Sequence, residues 1–180
     1  NQLTTSDFNN KKYNNFFPSA FLSYEFTEGE NVSVSYSRRV RRPRGRMLNP
    51  ISNYSSSINF FQGNPDLDPA FTNAFDIGYM KRIGQVTLNT SLYYNKTTDA
   101  TQFVRRVDGV NEEGIPITIS GPINLATEHR YGLEVNLNFS PIRWWKINAN
   151  ANLYQQSTRG DFSYVDYQGN NVNQNFDNDM

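Results

Sequence analysis

Apolar and polar residues alternate with a period of two along six segments of the chain. The clearest is 86–95, where Leu88 and Leu92 fall on one face and Asn89 and Ser91 on the other. Successive side chains of a β-strand point to opposite faces of the sheet. No long window shows the apolar spacing of an amphipathic helix. The pattern therefore predicts strands, each with one apolar and one polar face, at about 17–27, 32–40, 72–81, 86–95, 125–139 and 145–154.

The connections between these strands alternate between short and long. Short turns fall at 28–31, 82–85 and 140–143, and long loops are predicted at about 41–71, 96–124 and 155–180. Transmembrane β-barrels have short turns on one rim and long loops on the other. The predicted strands run to roughly 8 to 15 residues, and a tilted strand needs about 9–11 residues to cross a bilayer. We therefore predict an all-β fold of antiparallel up-and-down strands, about six strands of a transmembrane β-barrel.

Composition narrows the classes of function. Aromatic residues reach 14%, 17 basic residues balance 17 acidic ones, and there is one His and no Cys. Disordered chains lack aromatics and carry a large net charge, so disorder is not expected. Zero net charge also removes the generic electrostatic argument for nucleic acid, which depends on a basic face that binds phosphates. Without Cys there is no thiolate zinc site and no Cys nucleophile.

Several local motifs resemble the barrel of TonB-dependent outer-membrane receptors. They include Phe16-Phe17-Pro18-Ser19, Tyr36-Ser37-Arg38-Arg39 followed by Leu48-Asn49-Pro50, Gly63-Asn64-Pro65-Asp66-Leu67-Asp68-Pro69, and Tyr131-Gly132-Leu133-Glu134 with Trp144-Trp145. The resemblance covers about 16–155. It implies an outer-membrane location and a 22-strand barrel filled by a plug, which imports an iron chelate, cobalamin or a glycan. Six strands do not close a barrel, so residues 1–180 are expected to be a fragment of one.

The resemblance also implies partners. They are outer-membrane lipid, the plug and the remaining barrel strands, the TonB energy-coupling protein and the nutrient ligand. Nucleic acid is not among them. No cofactor, metal or catalytic residue is predicted, and the chain is not expected to be an enzyme.

The densest charge cluster is a run of six arginines between residues 38 and 46. One interpretation is a solvated strand end and loop. The other is a patch that contacts an anionic substrate, lipopolysaccharide phosphates or the plug. The candidate substrate contacts fall in the long loops and are Arg42, Arg44, Arg46, Tyr54, Phe61, Arg105 and Arg106.

Other motifs have simpler interpretations. Asp66 and Asp68 offer oxygen ligands for calcium, but the prolines that flank them favour consecutive turns. His129 has no nucleophile elbow nearby and is expected at the barrel rim. Glu25 and Glu134 are expected to face the lumen rather than to form a glycosidase pair.

Two other classes of protein remain open on the sequence. One is a cell-surface β-sandwich that binds glycans, in which the apolar faces pack against a second sheet. The other is an outer-membrane barrel enzyme such as a lipase or protease, for which the chain offers only His129.

Overall fold

The computed structural model describes residues 14–51, 53–54 and 58–180, with residues 53–54 described by their backbone alone. These residues form one sheet of nine strands and one helical turn. The elements are β1 (Ser19–Thr27), β2 (Glu30–Arg41), α1 (Gly45–Leu48), β3 (Asn53–Tyr54), β4 (Asn59–Phe61), β5 (Ala70–Ile83), β6 (Val86–Val110), β7 (Pro116–Ile142), β8 (Trp145–Val165) and β9 (Asn171–Asp179). No helix in the described part of the chain is long and apolar enough to span a membrane.

The long strands form an open antiparallel meander. β1, β2, β5, β6, β7, β8 and β9 follow one another, each pairing with the next. The small β3–β4 hairpin joins the edge of β7 through a parallel pairing of β4. Up-and-down antiparallel strands with short turns at one end match the predicted barrel architecture.

The register aligns the apolar residues of six strands at one depth. In the clearest case Val34 pairs with Ile77, Ile77 with Leu92, and Leu92 with Leu133. We call this set the aliphatic row; its members are Leu22, Val34, Ile77, Leu92, Leu133 and Leu153.

The aliphatic row is uncovered, although apolar side chains this large usually pack against another layer. Leu22 is 75% exposed and Leu153 is 72% exposed. The described residues form a single sheet, with no second sheet over this face. The described residues therefore do not form a β-sandwich, and the apolar face is free to meet lipid.

Aromatic residues flank the aliphatic row toward the long-loop end. Tyr36, Phe75, Tyr94 and Tyr131 are neighbours across β2, β5, β6 and β7. The ring centroids of Tyr36 and Phe75 are 4.9 Å apart, and those of Phe75 and Tyr94 are 6.3 Å apart. The Tyr36 hydroxyl donates to Asn73 Oδ1 at 2.9 Å. An aromatic ring with an apolar body and a hydrogen-bonded hydroxyl group is well suited to a membrane–water interface.

The short-turn end has a similar set of contacts. The Tyr79 hydroxyl donates to Glu30 Oε1 at 2.6 Å, and Lys81 Nζ lies 3.3 Å from Glu30 Oε2. Trp144 and Trp145 stack at 6.5 Å beside the turn between β7 and β8. Two aromatic girdles therefore bracket the aliphatic row, as in transmembrane β-barrels.

Two of the three predicted long loops are wrong. Residues 96–124 continue β6 and β7 as a paired hairpin that turns between Val110 and Pro116, and most of 155–180 lies in β8 and β9. These extensions stand beyond the apolar band, so their faces need not alternate in polarity. The backbone also breaks the period of two, since Asp99 and Gly109 adopt positive φ of 56° and 140°.

The described residues of the remaining segment, 41–71, pack against the extended hairpin. Leu67 and Ala100 are both 1% exposed and Pro122 is fully buried. Two glycines allow the close approach: a Cβ at Gly63 would lie 2.8 Å from the Met47 carbonyl oxygen, and one at Gly121 would lie 2.6 Å from the Gln62 carbonyl oxygen. The segment thus has a small core of its own above the membrane band.

Asp66 lies in a turn closed by the Leu67 amide and the Asn64 carbonyl, whereas Asp68 follows that turn, so one turn is found where consecutive turns were predicted. The Asp66 amide donates to Asn64 Oδ1 at 2.9 Å, and the Asp68 amide donates to Asn124 Oδ1 at 2.7 Å. Asn124 in turn donates to the Asp99 carbonyl at 2.7 Å. Asn124 therefore ties the segment to the β6–β7 hairpin.

The turn between β8 and β9 is held by one carboxylate. Asp166 Oδ1 accepts the amides of Asn170 at 2.8 Å and Gln168 at 2.9 Å. These bonds, led by the Asn170 amide, lower the pKa of Asp166 below its ordinary value of 3.8. A carboxyl with a depressed pKa contributes stability above its unfolded pKa, and that stability is lost as the pH falls through the folded value.

We expect the protection of β9 amides against hydrogen exchange to fall at acid pH, once Asp166 protonates. In the Asp166→Ala variant the β9 protection factors should already be low at neutral pH and change little on acidification. Mass-spectrometric exchange of the full-length protein in detergent measures both. Equal pH dependence in the two proteins would contradict this role of Asp166.

Candidate functional site: an arginine cleft at the long-loop end

A cleft of about 650 Å³ opens at the end of the sheet opposite the short turns, which we call the long-loop end. Four arginines and two phenylalanines dominate its lining, which consists of Arg41, Arg42, Pro43, Arg44, Arg46, Met47, Phe61, Thr101 and Phe103. We call it the arginine cleft. None of these lining residues is acidic, so the cleft concentrates positive charge against apolar walls. Such clefts raise the local concentration of anions.

The chain places the arginines in succession around the cleft. Arg41 is the last residue of β2, where it pairs with Ala70. Arg42 and Arg44 follow in the extended connection, and Arg46 lies in α1. The Asn64 amide donates to the Met47 carbonyl at 2.7 Å, which fastens α1 to the returning chain. The four arginines of this segment are thereby gathered around one cavity.

Two aromatic rings form the wall beside the arginines. The Phe61 and Phe103 ring centroids are 6.2 Å apart. The Arg46 guanidinium carbon lies 5.2 Å from the Phe61 centroid, within the range of a cation–π contact. Guanidinium groups bind carboxylates and phosphates through two parallel hydrogen bonds. The arrangement therefore suits a ligand that carries both negative charge and flat or apolar groups.

The structure brings together four of the predicted substrate contacts and separates the others. Arg42, Arg44, Arg46 and Phe61 line the arginine cleft. Arg106 lines a second cavity of about 330 Å³, between segment 41–71 and the hairpin. Arg105 is exposed on β6, away from both cavities. The backbone of Tyr54 lies in β3, but its side chain is outside the described residues.

Sequence reasoning missed Arg41, Thr101 and Phe103. Arg41 sits within the arginine run, so its charge was visible but its strand-end position was not. Thr101 and Phe103 fall in a segment that was predicted as loop and is part of β6. Apolar and polar residues do not alternate along that segment. The position of Thr101 and Phe103 beside Phe61 is therefore visible only in the folded structure.

Below the cleft, the polar face of the strands carries a hydrogen-bonded lining. Arg39, Glu128 and Arg130 surround a cavity of about 210 Å³. Deeper, the Ser91 hydroxyl donates to Asp76 Oδ2 and the Asn136 amide donates to Glu134 Oε1. This face is the predicted lumenal one.

A glycine lies at the centre of this lumenal face. The Tyr93 side chain of β6 reaches across Gly132 of β7 and donates its hydroxyl to Asn152 Oδ1 of β8 at 3.1 Å. A Cβ at Gly132 would lie 2.7 Å from that hydroxyl oxygen and 2.6 Å from the Leu153 carbonyl oxygen. Only glycine leaves room for the tyrosine to bridge three strands.

The alternative catalytic groups are not assembled. Glu25 is on β1 and Glu134 on β7, four strand spacings apart, or about 19 Å along the sheet. Glycosidase carboxyl groups lie within about 9.5 Å of each other. The Nδ1 of His129 lies 2.8 Å from the Tyr94 hydroxyl oxygen, on the aromatic girdle. Both observations agree with the rim and lumenal interpretations.

An uncovered apolar band between two aromatic girdles, a polar inner face and long extensions on one side together define a segment of an outer-membrane β-barrel. The chain belongs to the outer membrane protein beta-barrel family, whose model matches residues 1–180. It therefore lies in the outer membrane and crosses it with strands. A search of curated protein sequences gives no significant match.

The solved structures that share this fold include two receptors. One is the siderophore receptor PirA from Pseudomonas aeruginosa, with a TM-score of 0.63 and 20% identity over 82% of this chain. The other is the siderophore receptor PirA from Acinetobacter baumannii, with a TM-score of 0.56 and 15% identity over 82% of this chain. The chain spans 31% and 26% of the lengths of these proteins. At these identities the likeness is one of fold.

Proposed function

We propose that the chain forms part of the barrel of a TonB-dependent receptor, which binds a scarce nutrient outside the cell and imports it. The observation that carries this proposal is the arginine cleft, which stands directly beyond a lipid-facing barrel wall. A ligand in that cleft lies on the long-loop side of the membrane, at the mouth of the polar face. Import of this kind requires binding and gated passage, with no covalent chemistry.

Three classes of nutrient are candidates: iron chelates, cobalamin and glycans. The arginine cleft favours an iron chelate with carboxylate or catecholate groups. Such chelates carry negative charge, which Arg42, Arg44 and Arg46 complement. Their planar metal-binding groups suit the Phe61 and Phe103 rings. Neutral glycans offer four guanidinium groups no anionic partner, and cobalamin offers them a single phosphodiester. The fold shared with proteins described as siderophore receptors is compatible with this choice.

The proposed function requires partners. They are the remaining barrel strands, a plug that fills the lumen, and the energy-coupling protein that acts on the plug. The polar inner face, with Arg39, Glu128 and Arg130 below the cleft, offers charged contacts to a plug.

The test is binding and uptake by the full-length receptor in cells that lack other receptors. The probes are a radiolabelled ferric catecholate, a neutral ferric hydroxamate, cyanocobalamin and a maltodextrin. We expect the catecholate to bind and enter. The Arg42→Gln/Arg44→Gln variant should bind it at least about tenfold more weakly, because the loss of even one hydrogen bond to a charged group costs about 1.5–3 kcal/mol.

Arg105→Gln is the matched control, since Arg105 is a neighbouring exposed arginine outside the cleft. It should bind the catecholate like the wild type. An equal loss in both variants would mean that general positive charge, rather than the cleft, attracts the ligand. Binding without uptake in a strain with an intact energy-coupling system would contradict the import function. Preference for the maltodextrin or cyanocobalamin would contradict the ligand class.

A further inference from the structure

The second cavity, of about 330 Å³, lies on the opposite side of β6 from the arginine cleft. Phe103 lines the cleft, whereas Val104 and Arg106 line the second cavity. Successive side chains of a strand point to opposite faces, which separates the two sets. Among the described residues, no lining residue is common to both cavities. The second cavity is therefore a site of its own, and it has no part in the proposed function.

Three parts of the chain meet around the second cavity. The β6–β7 hairpin contributes Arg106, and β8 contributes Phe162. Segment 62–65 closes over the hairpin at Gly121, where a Cβ would lie 2.6 Å from the Gln62 carbonyl oxygen. A molecule bound in this cavity would therefore contact all three parts and hold segment 62–65 against the strands.

The Arg106 side chain lacks a partner in this cavity. Its Nε is buried and has no hydrogen-bond partner among the described residues. The lining contains no acidic residue. Arg130 Nε is also buried and unpaired, but the Arg130 guanidinium carbon lies 4.3 Å from the Tyr154 ring centroid, whereas no ring of the described chain makes such a contact with Arg106. A buried donor without a partner costs free energy, and it indicates a bound water, ion or ligand.

The lining around Arg106 is otherwise mostly apolar. Its apolar members are Pro50, Pro65, Val104, Ile119, Pro122, Ile123 and Phe162. A single guanidinium group binds one carboxylate through two parallel hydrogen bonds. The proline rings and the Phe162 ring offer flat surfaces to an aromatic body. The cavity has about half the volume of the arginine cleft, so its occupant has to be small.

We propose that the second cavity binds a small aromatic carboxylate. The carboxylate accepts hydrogen bonds from Arg106, and the ring packs against Phe162 and the prolines. The bound molecule neutralises a cation that the described chain leaves unpaired, and it fastens segment 62–65 to β6 and β8. It is an accessory ligand, distinct from the nutrient in the arginine cleft.

The test is equilibrium dialysis of radiolabelled benzoate against the purified full-length receptor, with detergent micelles alone as the blank. We expect saturable binding to the wild type. The Arg106→Gln variant should bind benzoate at least about tenfold more weakly, because the charge-assisted hydrogen bonds are lost. Benzamide has the same ring without the charge, so it should displace benzoate from the wild type at least about tenfold less effectively than unlabelled benzoate does.

Two variants serve as controls. Arg105→Gln removes the neighbouring exposed arginine, which lies outside both cavities, and it should bind benzoate like the wild type. Arg42→Gln/Arg44→Gln disables the arginine cleft and should also retain benzoate. This result separates the accessory site from the proposed nutrient site, whichever nutrient the receptor imports.

Four outcomes would overturn the proposal. They are no saturable binding to the wild type, equal displacement by benzamide, undiminished binding by Arg106→Gln, and loss of binding in Arg42→Gln/Arg44→Gln, which would place benzoate in the arginine cleft. The comparison of benzoate with benzamide needs no variant, so it decides the question even if Arg106→Gln does not fold.

Discussion

Replacing Leu92 by arginine should destabilise the full-length receptor in lipid vesicles by about 2–4 kcal/mol, the cost of a guanidinium on the lipid face near the bilayer midplane. Leu92 is 58% exposed at the centre of the aliphatic row, with no protein layer above it. Its surroundings are therefore acyl chains, which offer a charge no hydrogen bonds. Guanidinium titration of the refolded receptor, monitored by tryptophan fluorescence, gives the free energy of unfolding.

Asn89→Arg is the control for Leu92→Arg. Asn89 is on the same strand and points to the polar face, where its register neighbour on β7 is Asn136. Arginine there should change the free energy of unfolding by less than about 1 kcal/mol, because water or other polar groups solvate it. Similar losses in both variants would contradict the assignment of one face of β6 to lipid and the other to the polar lumen.

The second large effect is expected at Gly132. Replacement by valine should cost about 2–4 kcal/mol, combining overpacking of about 1–3 kcal/mol with the loss of a hydrogen bond. The new Cβ would overlap both the Leu153 carbonyl and the Tyr93 hydroxyl. Because a carbonyl in a paired strand cannot move aside freely, Tyr93 has to leave and its bond to Asn152 breaks. The same unfolding titration measures the loss.

Two controls separate the steric effect from the hydrogen bond. Tyr93→Phe removes only the bond and should cost about 1 kcal/mol. Gly45→Val adds the same side chain at a position where a Cβ meets nothing within 4 Å. If Gly132→Val is no worse than Tyr93→Phe, the glycine is not needed for space.

The membrane-spanning part of the fold was predictable from the sequence because lipid on one side and water on the other impose a strict period. Leu88 and Leu92 alternate with Asn89 and Ser91 in β6, and the register of the folded sheet retains that alternation. Short turns such as 28–31 were equally visible. The order of the strands follows, since up-and-down strands pair with their chain neighbours.

Beyond the membrane, lipid and water no longer impose a period of two. The prediction of strands from the sequence is correspondingly less accurate there. Both faces of the β6–β7 extension lie in water or against segment 41–71, so no period of two survives. The positive φ of Asp99 shifts the strand further out of phase. A sequence of this kind is typical of a loop, although the backbone pairs throughout.

The candidate site was predictable only in its chemistry. The density of arginine pointed to anion binding, and Arg42, Arg44 and Arg46 do converge. Their convergence with Phe61 depends on the close approach at Gly63, a contact between residues distant in the chain. No local pattern encodes such a contact, and for the same reason Phe103 was missed.

The length of the β6–β7 hairpin has a practical consequence for work on living cells. Its strands contain 25 and 27 residues, and only about 9–11 of each are needed to cross the bilayer. The tip at Asn111–Ile115 therefore stands roughly 35 Å above the headgroups. Its turn is closed by Asn111, which accepts the Ile115 amide at 2.8 Å. A short peptide tag inserted at Gly114 would extend from this tip, where antibodies can reach it without permeabilising the cell.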